Sequence, residues 1–261
     1  MSNDRNKEKR ELNYLLRKEF HSFYIMKPFI SAEWTNLVVA SFEIDGNLLK
    51  KYLPPKTELN DWHGNYFMSL VGFMFSNPRF LGLKAPFYRI FEEVNLRFYV
   101  KYKTGNAWKN GVVFIKEIAP SKLIGLTARF LYRENFITLP MKHAFSNSGT
   151  EQQTDYFWKI HEKWNFLKLR TGNIPLSDNK NTIESFICNH YHGYTKTSDE
   201  STFEFDVKHI PWKIFPALDF QMDLDAEAVY GTELASFFYQ KPLTCFLMDG
   251  SYIEISRPIS I

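Results

Sequence analysis

Three polar residues interrupt an apolar run at a spacing of two: Glu93, Asn95 and Arg97, in the segment EVNLRFYV. Strand side chains alternate between faces, so these three share one face and Val94, Leu96, Phe98 and Val100 take the other. The apolar face reads as core, and the polar face as the wall of a pocket. A guanidinium on such a face can grip a carboxylate through two paired hydrogen bonds. A second set follows in GVVFIKEIAPSKLIGLTARF, where Glu117, Lys122 and Arg129 stand. Arg97 and Arg129 have two fates open to them: a ligand carboxylate, or internal pairing with Glu93 or Glu117. Lys122 could attack a carbonyl only as a neutral amine, which needs a neighbouring cation or burial. His190 and His192 form a His-x-His whose rings share a face if the segment is a strand. A metal would need a third ligand from His161, His209 or a remote carboxylate, and no spacing supplies one. The pair therefore reads as pocket histidines, with neither a metal nor a cofactor expected.

Other chemistries lack their residues. There is no Gly-x-Ser-x-Gly turn, no Gly-rich phosphate loop and no dinucleotide fingerprint. The chain has 261 residues, 32 basic against 29 acidic, and a net charge of +3, too balanced and too dispersed for a nucleic-acid partner. Two cysteines, Cys188 and Cys245, make no disulfide framework, so a reduced, cytoplasmic chain is expected. The opening MSNDRNKEKRE has no apolar centre and is no secretory signal. No run of about 18 apolar residues occurs, so no membrane span is expected.

The elements that must position these residues are short and β-rich, as an aromatic content of 17% favours. Strands are expected at residues 34–44, 66–75, 94–102, 111–118 and 202–207, with two more within 154–169. A helix is expected at 121–132 after Pro120, and another at 225–239, weakened by Gly231. Asp249-Gly250 suggests a hairpin joining 243–248 to 252–256. Residues 77–86 and 146–153 read as loops. An amphipathic helix at about 7–23, with Leu12, Leu15, Leu16, Phe20 and Phe23 at helical spacing, precedes the strands. Strands and helices do not alternate regularly, which argues against a doubly wound parallel sheet. Residues 1–28 are read as an extension and 29–261 as one domain.

Several segments in this order resemble one family: WTNLVVASFEIDGNLLKKYLPPKTELNDWHGNYFMSLVGF, EVNLRFYV, GVVFIKEIAPSKLIGLTARFLYRENFITLPM, HYHGYT, HIPWKIFP and FLMDGSYIEISRP. Together they resemble the YqjF-like bacterial family of unknown function, beside the acetoacetate decarboxylase-like proteins. The resemblance implies a mainly β fold: a single cone-shaped, largely antiparallel β-barrel with a few peripheral helices and a cavity within. It also implies that Glu93 corresponds to a cavity-facing strand glutamate. Acetoacetate decarboxylases carry a Schiff-base lysine where an acidic residue and Ile precede Pro-Lys-Lys. The nearest match is Glu117-Ile118-Ala119-Pro120-Ser121-Lys122, with serine in place of one lysine and a spacing one residue short.

The reading that follows is a barrel binding a small carbonyl- or carboxylate-bearing molecule, with Glu93, Asn95, Arg97, Glu117, Arg129, His190 and His192 as candidate ligand contacts. The alternatives are a lyase acting on a keto acid through Lys122 and Glu93, and a protein-interaction module using the N-terminal helix. Homo-oligomer formation is left open.

Overall fold

The structure is a computed structural model that describes residues 28–85, 89–177 and 181–261. The helix expected at 7–23 lies outside the described residues. Fifteen strands run in chain order: β1 (Ile30–Ile44), β2 (Thr57–Leu59), β3 (Tyr66–Phe80), β4 (Leu83–Lys84), β5 (Ile90–Thr104), β6 (Ala107–Ala119), β7 (Phe136–Thr138), β8 (Met141–Asn147), β9 (Glu151–Ile160), β10 (Lys163–Gly172), β11 (His192–Lys196), β12 (Thr202–Lys208), β13 (Ile214–Asp223), β14 (Thr244–Ile255) and β15 (Ile259–Ser260). Among the described residues five short α-helices accompany them: α1 (Gly46–Leu49), α2 (Lys122–Tyr132), α3 (Ile183–Cys188), α4 (Ala226–Tyr230) and α5 (Thr232–Ala235).

The sheet closes into a ring. Neighbours follow the order β12, β11, β6, β5, β3, β1, β14, and β14 pairs back onto β12 through Val207↔Ile255 and Lys208↔Glu254. Within this ring only β11–β6 is parallel. Beyond β14 the sheet continues through β13, β10, β9 and β8. That extension covers one face of the ring wall, where Val38, Leu70 and Leu96 pack with Tyr156, Trp158 and Leu167. The opposite face of the same strands carries Leu37, Val39, Val71 and Tyr99, which pack with Ile187 of α3. The wall is thus a middle layer buried on both sides, which is why β3 reads as nearly continuous apolar sequence instead of alternating.

Two irregularities set which residues face inward. Asn36 sits at φ 54°, and the β1–β3 register shifts between Thr35 and Val38. The β5–β6 register shifts between Leu96 and Arg97, where Ile115 is the unmatched residue. Each bulge changes the strand's phase. Trp34 and Leu37 therefore both line the interior, as do Phe114 and Glu117, although their spacing of three would put each pair on opposite faces of a regular strand.

Four expectations are corrected. Residues 243–256 are not a hairpin: β14 is one strand, and both halves pair with β1 in unbroken register from Ile30↔Ile255 to Ser41↔Thr244. Gly250, at φ 82°, accommodates the strand without reversing it. Residues 225–239 form α4, α5 and a 3-10 turn, Ser236–Tyr239, broken at Gly231. β3 extends to Phe80 and pairs with β4, in a segment expected to be loop. Residues 146–153 belong mostly to the β8–β9 pair, because a three-residue connection suffices for antiparallel neighbours. Both cysteines are free, and burial pushes each thiol up to about 12. No helix among the described residues is long and apolar enough to cross a membrane.

Candidate functional site

α3 fills one end of the ring, where Phe186 meets the rings of Phe67 and Tyr99. The rest of the interior holds a cavity of about 420 Å³, within the range of small-molecule sites. Its walls are largely aromatic, with Trp34, Phe73, Phe75, Phe91 and Phe114 among the lining residues. Phe75 and Phe91 stack with centroids 4.9 Å apart. The polar groups sit on one side of this apolar space and come from β5, β6 and the turn after α2.

β5 supplies Glu93, Asn95 and Arg97, all lining the cavity, while Val94, Leu96 and Phe98 pack into the opposite core. β6 supplies Glu117, directly opposite Asn95 in register. Glu134 also lines the cavity, and sequence reasoning missed it. α2 begins at a Ser121 cap whose Oγ accepts from Leu123 N, and ends with Arg133 in the left-handed region. The chain then reverses, and β7 pairs parallel to β6 with Phe136 beside Glu117. That reversal carries Glu134 to the other two carboxyls. An acidic residue after a helix end is common on any surface, so no local signal distinguished it.

Glu93, Asn95 and Glu117 are 6%, 2% and 2% exposed. Glu117 makes carboxyl–carboxyl contacts with both Glu93 and Glu134, and the Asn95 side chain stands beside Glu93. No ion pair ties any of the three to a basic side chain among the described residues. Burial accordingly pushes Glu93 up to about 7 and Glu134 up to about 8. Glu117 rises well above the ordinary carboxylate value, from burial first and then from Glu134 and Glu93. Three carboxyls in contact cannot all ionise cheaply, so they share protons.

Arg97 stands between the main cavity and a side pocket of about 30 Å³, the room of about one water. It meets the Tyr99 phenol, which in turn contacts Ser69 Oγ. His190 borders the side pocket, with Nε2 3.1 Å from Asn60 Nδ2. Burial, with the Arg97 charge adding to it, lowers His190 to about 3 and keeps it neutral. His192 borders the same pocket, but its Nδ1 is 3.0 Å from Asn110 O and its Nε2 is 3.4 Å from Asp206. Arg97 itself has no carboxylate within ion-pair distance among the described residues.

The other two named residues lie elsewhere. Lys122 opens α2 on an exposed face and is absent from the cavity lining. Arg129 is exposed and donates through Nη2 to the carbonyl of Phe136.

Four buried polar atoms of the cavity wall have no partner among the described residues, and they divide by type. Arg97 Nε and Trp34 Nε1 are donors, and both residues also border the side pocket. Asn95 Oδ1 and Glu117 Oε1 are acceptors on neighbouring strands. Buried groups of this kind are ordinarily satisfied by protein, by water or by a ligand, so these four are the positions of the wall open to a partner from the cavity.

Comparison with known proteins places this geometry. Acetoacetate decarboxylase from Legionella pneumophila is similar in structure, with a TM-score of 0.62, 12% identity, and coverage of 90% of this chain and 87% of that one. The enduracididine biosynthesis enzyme MppR complexed with pyruvate is similar at a TM-score of 0.60 and 10% identity, covering 90% and 91%. At these identities the likeness shows an acetoacetate decarboxylase-like fold. In sequence, the uncharacterized protein YqjF of Bacillus subtilis is 26% identical over 184 residues, 69% of this chain and 72% of that protein. The profile of the DUF2071 family, described as an uncharacterized conserved protein, matches residues 31–251. That match runs over most of the length of the chain, which therefore belongs to the DUF2071 family.

Proposed function

We propose that the cavity binds a small molecule carrying a carboxylate or carbonyl oxygen, with Arg97 as its anchor. The observation that carries this reading is the pair of unpartnered buried donors, Arg97 Nε and Trp34 Nε1, at one end of an aromatic cavity. A guanidinium with no internal carboxylate beside it, next to a histidine held neutral, has charge to offer an oxygen ligand. The aromatic walls suit the apolar body of such a molecule. One solved relative in fold was captured with pyruvate, a small keto acid, which supports this class at the level of fold analogy. The reading takes residues 29–261 as one domain, since the ring joins β1 near its start to β14 near its end. Two free thiols suit a cytoplasmic setting.

Binding of 4-methylbenzoate, followed by calorimetry, tests it. Arg97→Met is expected to weaken binding roughly 100-fold, the cost of losing a charge-assisted pair. Equal affinity in the variant would remove Arg97 from the site.

A Schiff-base lyase has less support. Lys122 lies outside the cavity lining, and residue 121 is a serine that caps α2. Acetoacetate is therefore expected to release no carbon dioxide above background, with Lys122→Ala indistinguishable from the parent. Release that disappears in Lys122→Ala would restore the lyase reading.

A further inference from the structure

The two unpartnered acceptors point to a different group from the one Arg97 would hold. Asn95 Oδ1 and Glu117 Oε1 belong to directly paired residues of β5 and β6, each 2% exposed, and both residues line the same cavity. The Asn95 side chain lies beside Glu93 and favours its ionised form, which turns the amide nitrogen toward that carboxyl and leaves the oxygen to offer. An ionised carboxylate accepts hydrogen bonds and donates none. A neutral carbonyl ligand held by protonated carboxyls would leave Asn95 Oδ1 orphaned, because it brings no donor. A metal ion is disfavoured too: no group of three or more His, Cys, Asp or Glu among the described residues has the arrangement to hold one. A protonated nitrogen satisfies every one of these atoms, since it brings several N–H donors and a positive charge to three carboxyls. Phe73, paired with Glu93, and Phe91 add aromatic surface that such a cation also favours.

We infer that Glu93, Glu117, Glu134 and Asn95 Oδ1 form a subsite for a protonated nitrogen group, an ammonium or amidinium, on the cavity's ligand. The ligand is then a zwitterion: nitrogen at the carboxyl cluster, oxygen at Arg97 and an apolar body between. Only the oxygen half rests on the reading of Arg97 above. Two to four strand residues separate the subsites, so the charges of a matching ligand lie about 7–13 Å apart.

The proton balance makes this measurable. The groups facing the cluster are its own members, Glu93 from β5, Glu117 from β6 and Glu134 after α2, together with the phenol of Tyr132 from the end of α2. That phenol is held above its ordinary value by burial and by Glu134. Phe73 of β3 and Phe136 of β7 are the apolar neighbours, and Arg97 lies farther along β5. The carboxyls hold protons near neutral pH, for the burial reasons given above. An ammonium arrives already protonated, pairs with a carboxylate, and the displaced carboxyl proton passes to the buffer.

The test is calorimetry of the full chain near neutral pH with 4-(aminomethyl)benzoate, 4-methylbenzoate and 4-methylbenzylamine. Each is titrated in phosphate and in Tris, buffers of different ionisation heat. The zwitterion is expected to bind roughly tenfold or more tightly than 4-methylbenzoate, the worth of a charge-assisted hydrogen bond. Its binding, and that of the amine, should release about one proton, whereas the acid alone should release none. Glu117→Gln is isosteric with the protonated carboxyl; with its circular dichroism unchanged, the zwitterion's advantage should fall to about twofold or less and proton release should shrink. Glu134→Gln provides a second variant with the same expectation. Equal affinity for acid and zwitterion without proton release would overturn the nitrogen subsite and leave Arg97 standing. Acid binding that is indifferent to Arg97→Met, beside amine binding that depends on Glu117, would do the reverse. No heat with either amine at millimolar concentration would also overturn the subsite.

Discussion

Raising the pH from about 6 to about 9 is expected to lower the unfolding free energy by at least ~3 kcal/mol. Burial holds Glu93 up to about 7, Glu134 up to about 8 and Glu117 well above its ordinary value. In the unfolded chain each carboxyl titrates near 4.5. Between those limits the folded protein binds protons that the unfolded chain has lost, so each step up in pH favours unfolding. Their contribution is fully present below the unfolded value and disappears as pH rises through the folded ones. His190 acts in the opposite sense on the acid side. Its folded value, lowered to about 3, gives a contribution that is present above 6.5 and is lost as pH falls. Three carboxyls outweigh one histidine above the unfolded carboxyl value, so the maximum set by these groups should lie at about pH 4, with stability falling from there toward pH 9. Urea unfolding at the two ends of the range checks this. Glu134→Gln should remove a large part of the alkaline loss. A stability that stays level or rises toward pH 9 would mean that the carboxyls are ionised in the native protein, and that the cluster has a cation we have not identified.

Gly250→Ala is expected to cost more than ~3 kcal/mol, well above the usual effect of a single surface change. Gly250 sits at φ 82° in the middle of β14, and a Cβ there would collide with the backbone carbonyl of Trp34 across the strand pair. The backbone angle and the collision both act, and neither β1 nor β14 can retreat without opening the ring. Gly64 provides the control: its φ is 86°, but a Cβ there would meet nothing within 4 Å. Gly64→Ala should therefore cost only about 1 kcal/mol, the backbone part alone. The comparison is made by urea unfolding of both variants. Equal losses would show that β1 and β14 do not approach as closely at Trp34 as the structure has them.

What the sequence determined by itself was local and periodic. The alternation of EVNLRFYV divides β5 correctly, with Val94, Leu96 and Phe98 in the core and Glu93, Asn95 and Arg97 on the cavity wall, because strand geometry alone decides which side chains share a face. Pro120 likewise announces the start of α2, which Ser121 then caps, since a helix start is decided within a few residues. The order of the quoted segments was enough to point to the family and to its fold.

The tertiary structure decided what depends on partners remote in the chain. Asp249-Gly250 has the residues of a turn, but β1 is long enough to pair with both sides of it, and so β14 runs through. Lys122 and Arg129 belong to a charged set near Glu117 in sequence, yet the helix carries them to an exposed face while Glu117 turns inward. The bulges near Asn36 and at Ile115 shift strand phase, which places Trp34 beside Leu37 and Phe114 beside Glu117 around one space. Glu134 joins Glu93 and Glu117 only because β7 returns beside β6. Faces follow from the covalent geometry of neighbouring residues, whereas convergence on a shared void follows from register between distant segments. No local pattern encodes that register; closure of the whole ring determines it.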